Sequence, residues 1–208
     1  MELKPHYLLN IRGMEHHFQA PAFPDWVGTA IRGTPWVVVR RAFGTDDEIP
    51  VGIRGRERGL RFATWISPDH IAEVRPPATL VDPAGWRAAY GNRPPPQVHG
   101  LLAVSPILHA SGYEWGPAGG LAYELATGTP SINPESDLDL VVEIPEPIDV
   151  ALARSLLAEM QTLSPVRLDV QMITPAGGLS WADYCASDRV LVKTVFAPVL
   201  RKKNKLWH

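Results

Sequence analysis

The first clear apolar run is Pro35-Trp36-Val37-Val38-Val39-Arg40-Arg41-Ala42, after a mixed stretch rich in proline and aromatics. Its β-branched and aromatic content predicts a buried strand. Gly44-Thr45-Asp46-Asp47 is a turn signal, and Val51-Gly52-Ile53-Arg54-Gly55 and Arg61-Phe62-Ala63-Thr64-Trp65-Ile66 predict two short strands. Ser67-Pro68-Asp69 reads as a helix start, with Ser67 as N-cap, Pro68 at the first helical position and the helix running through Val74. From Pro76 to Pro96 repeated Pro and Gly interrupt any period, and the tandem prolines favour extended backbone. This stretch is read as a linker.

Beyond it the pattern alternates between helix and strand. Leu102, Ile107 and Leu108 lie at helical spacing within His99–Ser111, although Pro106 opposes a continuous helix and Gly112 stops it. Tyr113-Glu114-Trp115 predicts a short strand, Gly116 to Gly120 a tight loop, and Leu121–Ala126 a short helix ended by Thr127-Gly128. Strands are expected over 137–144, 166–173 and 188–195. Helices are expected over 150–163, capped by Asp149, and from Ser180 through Cys185. The Lys202-Lys203-Asn204-Lys205 tail reads as a solvated end. Alternating strands and helices predict an α/β or α+β fold.

Composition narrows the class. The chain has 208 residues with 17 Gly, 21 Pro, 45% hydrophobic and 20% charged residues, which excludes a disordered or collagenous chain. A net charge of -2 is not a nucleic-acid footprint. The single cysteine, Cys185, forbids an internal disulfide and fits a reducing compartment. No apolar run approaches a membrane span and the N-terminus has no apolar signal core, so a soluble, cytoplasmic protein is expected.

The sharpest chemical feature is Ser136-Asp137-Leu138-Asp139-Leu140-Val141-Val142. In a strand Asp137 and Asp139 point to one face, while Leu138, Leu140 and Val142 point to the core. Adjacent carboxylates repel, and a divalent cation would offset that cost. The motif alone leaves open a metal site or a solvated acidic face. Upstream, the glycines at 116, 119 and 120 let the backbone approach a phosphate at a helix start, or simply make a turn. Downstream, Asp169 sits among apolar neighbours and completes a carboxylate trio if its strand pairs beside the first. This order resembles the nucleotidyltransferase fold, whose chemistry is two-metal catalysis.

The resemblance becomes more specific. Trp115-Gly116-Pro117-Ala118-Gly119-Gly120, Tyr123-Glu124-Leu125-Ala126-Thr127-Gly128 and Ser136-Asp137-Leu138-Asp139-Leu140 are together similar to one family. It is malonate decarboxylase holo-acyl-carrier-protein synthase, also called phosphoribosyl-dephospho-CoA transferase. Leu168-Asp169-Val170, the Pro175-Ala176-Gly177-Gly178 turn, Trp181 and Val190-Leu191-Val192-Lys193-Thr194 carry the same likeness. So do Lys4-Pro5-His6, Pro35 to Arg41, Pro50 to Gly55, Arg58 and Arg61-Phe62-Ala63 in the first half.

The resemblance implies transfer of a phosphoribosyl-dephospho-CoA group from triphosphoribosyl-dephospho-CoA to a serine on the apo acyl-carrier subunit of malonate decarboxylase. Pyrophosphate is released. It implies Mg²⁺, or Mn²⁺, on Asp137 and Asp139, with Asp169 a third ligand or a base. Gly116, Gly119, Gly120, Ser136, Lys193, Arg54 and Arg61 would bind substrate, with Lys193 alternatively snorkelling from a strand end and the two arginines alternatively contacting the carrier; neither nucleic acid nor membrane would be a partner. The family carries Gly-Ser where this chain has Gly119-Gly120, and small polar residues are expected where it has Gly59-Leu60. A hydroxyl lost from a phosphate is worth about 1.5–3 kcal/mol. The alternative is therefore a catalytically weak or inactive carrier- or nucleotide-binding module of the same fold.

Other candidates keep two readings. Arg40, Arg41, Arg56 and Arg58 bind phosphate or the carrier, or form a solvated basic surface. His16-His17 lacks further metal ligands and reads as surface. Cys185, even with His99 or His109 in view, reads as a small buried hydrophobe, and Ser105 and Ser111 have no nucleophile-elbow context. Trp36, Trp65 and Trp115 are expected in the core. The expected architecture is a smaller N-terminal α/β domain over 1–83, a linker over 84–96, and a nucleotidyltransferase-like domain with a mixed sheet over 97–208.

Overall fold

The computed structural model describes residues 2–14, 17–20, 22–45, 47–57 and 59–208. His16, Asp46 and Arg58, singled out above, lie outside the described residues. The fold is mixed α/β, with two sheets and, among the described residues, six α-helices. No described helix is long and apolar enough to cross a membrane.

The first sheet is antiparallel, in the order β4-β3-β2-β1-β5. Its strands are β1 (Leu8–Ile11), β2 (Trp36–Val39), β3 (Ile49–Arg54), β4 (Arg61–Ile66) and β5 (Ile71–Arg75). Period-2 alternation divides its side chains between two layers. Leu9, Ile11, Val37, Val39, Val51, Ile53 and Ile66 pack with Val27 and Ile31 of α1 (Asp25–Gly33). Leu8, Trp36 and Val38 pack instead on α4 (Gly119–Thr127), through Ala122, Tyr123 and Ala126. The first sheet is therefore seated on a helix of the second half.

The second sheet runs β11-β10-β9-β8-β7-β6. Its strands are β6 (Trp115–Pro117), β7 (Leu138–Glu143), β8 (Leu168–Thr174), β9 (Gly177–Ser180), β10 (Arg189–Lys193) and β11 (Pro198–Lys202). Only the β7–β8 pair is parallel, because α5 (Val150–Leu163) crosses between them; the sheet is mixed, as expected. Asp149 caps α5 by accepting from the Ala151 and Leu152 N–H groups, both at 2.9 Å. Helices α3 (Pro96–Ala110), α5 and α6 (Trp181–Ala186) supply the core against Leu138, Leu140, Val142, Val170, Met172, Val190 and Val192.

Several expectations need correction. Ser67 does accept from Asp69 N, at 3.3 Å, but only a three-residue turn follows before β5. Pairing of Leu9 with Val74 and packing of Ile71 and Val74 in the first core win over the helix-start signal. The Pro-rich stretch contains α2 (Pro83–Tyr90), because Asp82 accepts from Gly85 N and Trp86 is buried, donating to Leu80 O. Pro106 lies inside α3: its missing N–H is replaced at Leu102 O by the Ser105 hydroxyl, 3.2 Å away. The short strand is shifted to 115–117, where it pairs with β7. The C-terminal tail is not a loose end, since β11 pairs with β10, Leu206 is fully buried, and Trp207 Nε1 donates to Ile144 O at 2.9 Å. Trp36 and Trp115 are buried as expected, but Trp65 is 44% exposed.

Candidate active site

A cleft of about 1070 Å³ opens between the two halves. One wall comes from α1, through Trp26, Thr29 and Ala30, and from the β3–β4 turn, through Arg54, Gly55, Leu60 and Arg61. The other comes from the start of α4, the 129–133 loop, Ser136, Asp137 and Asp139. The cleft thus gathers seven of the predicted site residues: Arg54, Arg61, Gly119, Gly120, Ser136, Asp137 and Asp139.

Asp139 sits in β7 beneath the first turn of α4. Its main-chain oxygen accepts from Ala118 N at 2.9 Å, and a Cβ on Gly119 would run into its carboxylate. Gly119 also has φ +59, so glycine is required twice over. Ala118 at the N-cap position of α4 has no side chain that could cap the helix, and the Asp139 carboxylate lies against this first turn. A Cβ on Gly120 would lie 2.9 Å from Ser131 O and 3.2 Å from Ile132 Cγ2, so the 129–133 loop crowds any side chain here. Asp137 flanks the strand and meets the exposed Arg167 at 3.3 Å.

Facing these carboxylates are two arginines paired across β3 and β4, Arg54 opposite Arg61. Arg54 stacks over the Tyr123 ring, 5.3 Å from its centroid. Burial and then Arg61 push its pKa down to about 10, opposed by Tyr123 and Asp139. It remains a cation at pH 7, partly desolvated and next to a second cation, which favours an incoming polyanion. The Arg61 guanidinium donates to Leu60 O at 2.8 Å.

Three predicted residues lie outside the cleft lining. Gly116 is inside β6, with its Cα against the Pro77 main chain. Asp169 is the parallel register partner of Asp139, so the strands do pair as expected, but it is exposed and is not among the residues lining the cleft. Lys193 ends β10 opposite Gly178 and is exposed. Asp169 and Lys193 instead share the field of His6, whose ring contacts Gln171 Oε1 at 3.1 Å. Burial pushes the His6 pKa down to about 4, and Arg41 and Lys193 add to the effect. Among the other candidates, the Ser105 and Ser111 hydroxyls donate to main-chain carbonyls. Cys185 is buried, which raises its thiol pKa. His109 packs edge-on against Trp115, and Arg40 lies over Trp65.

Residues 83–204 match the Phosphoribosyl-dephospho-CoA transferase MdcG C-terminal domain, and residues 4–77 match the corresponding N-terminal domain. The chain belongs to this family. It is 38% identical over 200 residues to the phosphoribosyl-dephospho-CoA transferase of Pseudomonas putida strain GB-1, covering 95% of this chain and 92% of that protein. It is 35% identical to that of Pseudomonas aeruginosa, with 95% and 91% covered, and 35% identical to that of Azotobacter vinelandii, with 91% and 88% covered. No solved structure matches it.

The two family domains map onto the two sheets, so the cleft lies between them. Within the family's glycine-loop segment, Glu124 does work that its sequence context does not announce. Its carboxylate accepts from Ser131 N (2.7 Å), Ile132 N (3.1 Å) and the Tyr90 hydroxyl (2.8 Å), fixing the loop that closes over Gly120. Fully buried Gln97 donates to Asn133 O (2.8 Å) and Ser136 O (2.6 Å), fixing the approach to Asp137. Among the described residues no three His, Cys, Asp or Glu side chains are grouped to hold a metal. Asp137 and Asp139 fit the two-carboxylate share of a Mg²⁺ site whose other ligands are phosphate oxygens and water.

Proposed function

We propose that the chain transfers a phosphoribosyl-dephospho-CoA group from its triphosphoribosyl donor to a serine of the apo acyl-carrier subunit of malonate decarboxylase. The observation that supports this best is a cleft with paired aspartates facing paired arginines, in a chain similar over nearly all its length to phosphoribosyl-dephospho-CoA transferases.

The donor's triphosphate fits between the α4 N–H groups and the Arg54–Arg61 pair, which neutralise its charge and orient its α-phosphorus. Asp137 and Asp139 would hold Mg²⁺, or Mn²⁺, and the ion would offset charge on the leaving pyrophosphate. The carrier serine oxygen forms a bond to the α-phosphorus as the bond to the β-phosphate oxygen breaks. The products are a phosphodiester and pyrophosphate. Asp169, the register partner of Asp139 on the next strand, would serve as the base that accepts the serine proton or as a further metal ligand. Gly116 and Lys193 do not line the cleft; Gly116 lies inside β6, and Lys193 ends β10. The reading of an inactive module rested on Gly120, and the crowding by Ser131 O gives that glycine a steric reason instead.

Incubating apo carrier, donor and Mg²⁺ with the protein should add the mass of phosphoribosyl-dephospho-CoA to the carrier and release pyrophosphate. Asp139→Asn should lower the rate by more than about a hundredfold while retaining the wild-type melting temperature within a few degrees. An unmodified carrier with wild-type protein would sink the reaction, and a fully active Asp139→Asn would sink the site.

A further inference from the structure

The geometry points to the outer face of the β10–β11 hairpin as the docking surface for an acidic protein, which on the reading above is the apo carrier subunit. The register places this face. Asp139 is opposite Asp169, Ile173 is opposite Gly178, and Gly178 is opposite Lys193. Alternation then puts Leu191 on the same side, and its partner Leu200 with it. The carboxylates and this leucine pair therefore lie on one face of one sheet. Two to four strand spacings separate them, at most about 20 Å, a span that one small docked protein covers.

Unlike the opposite face, this side is uncovered at the hairpin. Val190 and Val192 are buried, whereas Leu191 is 48% and Leu200 52% exposed. At the hairpin turn Phe196 is exposed and stacks on exposed Phe43 from the first half, with ring centroids 5.7 Å apart. Exposed apolar groups of this size, gathered on one element, mark an interaction surface. Charge indicates the partner. Residues 189–208 hold six Lys and Arg and no Asp or Glu, in a chain whose net charge is -2. Arg189 and Lys202 are directly opposed on this same face. The edge strand's basic residues repel a second copy, and the apolar row distinguishes the surface from a phosphate-backbone track.

Anisotropy of labelled apo carrier, with donor absent, reads docking apart from transfer. Arg189→Glu with Lys202→Glu should weaken carrier binding about tenfold. Phe196→Ser should weaken it independently, and donor KM and melting temperature should stay at wild-type values in both. Added salt should weaken wild-type binding more than that of the charge-reversed variant. Wild-type affinity in both variants overturns the docking face. So does a wild-type protein that ignores the carrier, prefers duplex DNA, or sediments as a dimer broken by Phe196→Ser. A carrier that binds here yet gains no mass with donor leaves docking in place and removes the transferase reading.

Discussion

His6 concentrates several constraints in one residue. It is the only described non-glycine residue with positive φ, at 75°, and its ring is pressed against Gln171 beneath Arg41 and Lys193. Asp169, which favours its charged form, is outweighed by burial, so the ring stays neutral until about pH 4. The unfolded chain takes up this proton first as pH falls from the ordinary value of 6.5. The contribution is therefore complete above about pH 6.5 and is lost progressively toward pH 4, amounting to on the order of 3 kcal/mol. Urea midpoints of wild type and His6→Gln should converge between pH 7 and pH 4.5; parallel profiles would rule this origin out. Arg41 is the companion constraint. Its Nη2 is buried without a hydrogen-bond partner and would meet any side chain at Gly178.

Among the elements, the 129–133 loop is held by others rather than by itself. Glu124 supplies charged acceptors to two of its main-chain N–H groups, each worth about 1.5–3 kcal/mol. Glu124→Ala should lower Tm by roughly 6–12 °C for a loss of about 3 kcal/mol and raise the donor's KM more than it lowers kcat, because the loop lines the cleft without touching the reacting phosphorus. An unchanged KM would detach the loop from donor binding. This dependence also shows what the sequence could disclose. The D-x-D strand, the α4 glycines and the capped α5 were legible because their signals are local: alternation, φ preference and an N-cap. Glu124 and Gln97 were not, because they bind main-chain groups that any sequence would offer. Strands β1, β5 and β11 were missed or misread for a related reason. Each gains its identity from a neighbour: β5 from β1, and β11 from β10.

At the scale of the molecule, the two family domains behave as one machine only if the seam between them holds. That seam is Leu8, Trp36 and Val38 of the first sheet on Ala122, Tyr123 and Ala126 of α4. Arg75 reinforces it by donating to Ala126 O and stacking over Trp36, as does the Thr34–Thr129 hydroxyl pair at 3.0 Å. The same helix carries Gly119 and Gly120 at its start, so the seam fixes the distance from Arg54 to Asp139. Ala122 is 3% exposed, and a carboxylate there would be buried without a partner. Ala122→Glu should split a single calorimetric transition into two and abolish donor binding, although Asp137, Asp139 and both arginines are untouched. Trp36→Ala should do the same from the other side, and the double variant should be little worse than either alone, since both break one interface. Additive losses, or an Ala122→Glu protein that melts once and binds donor normally, would mean that the halves are positioned by contacts other than this seam.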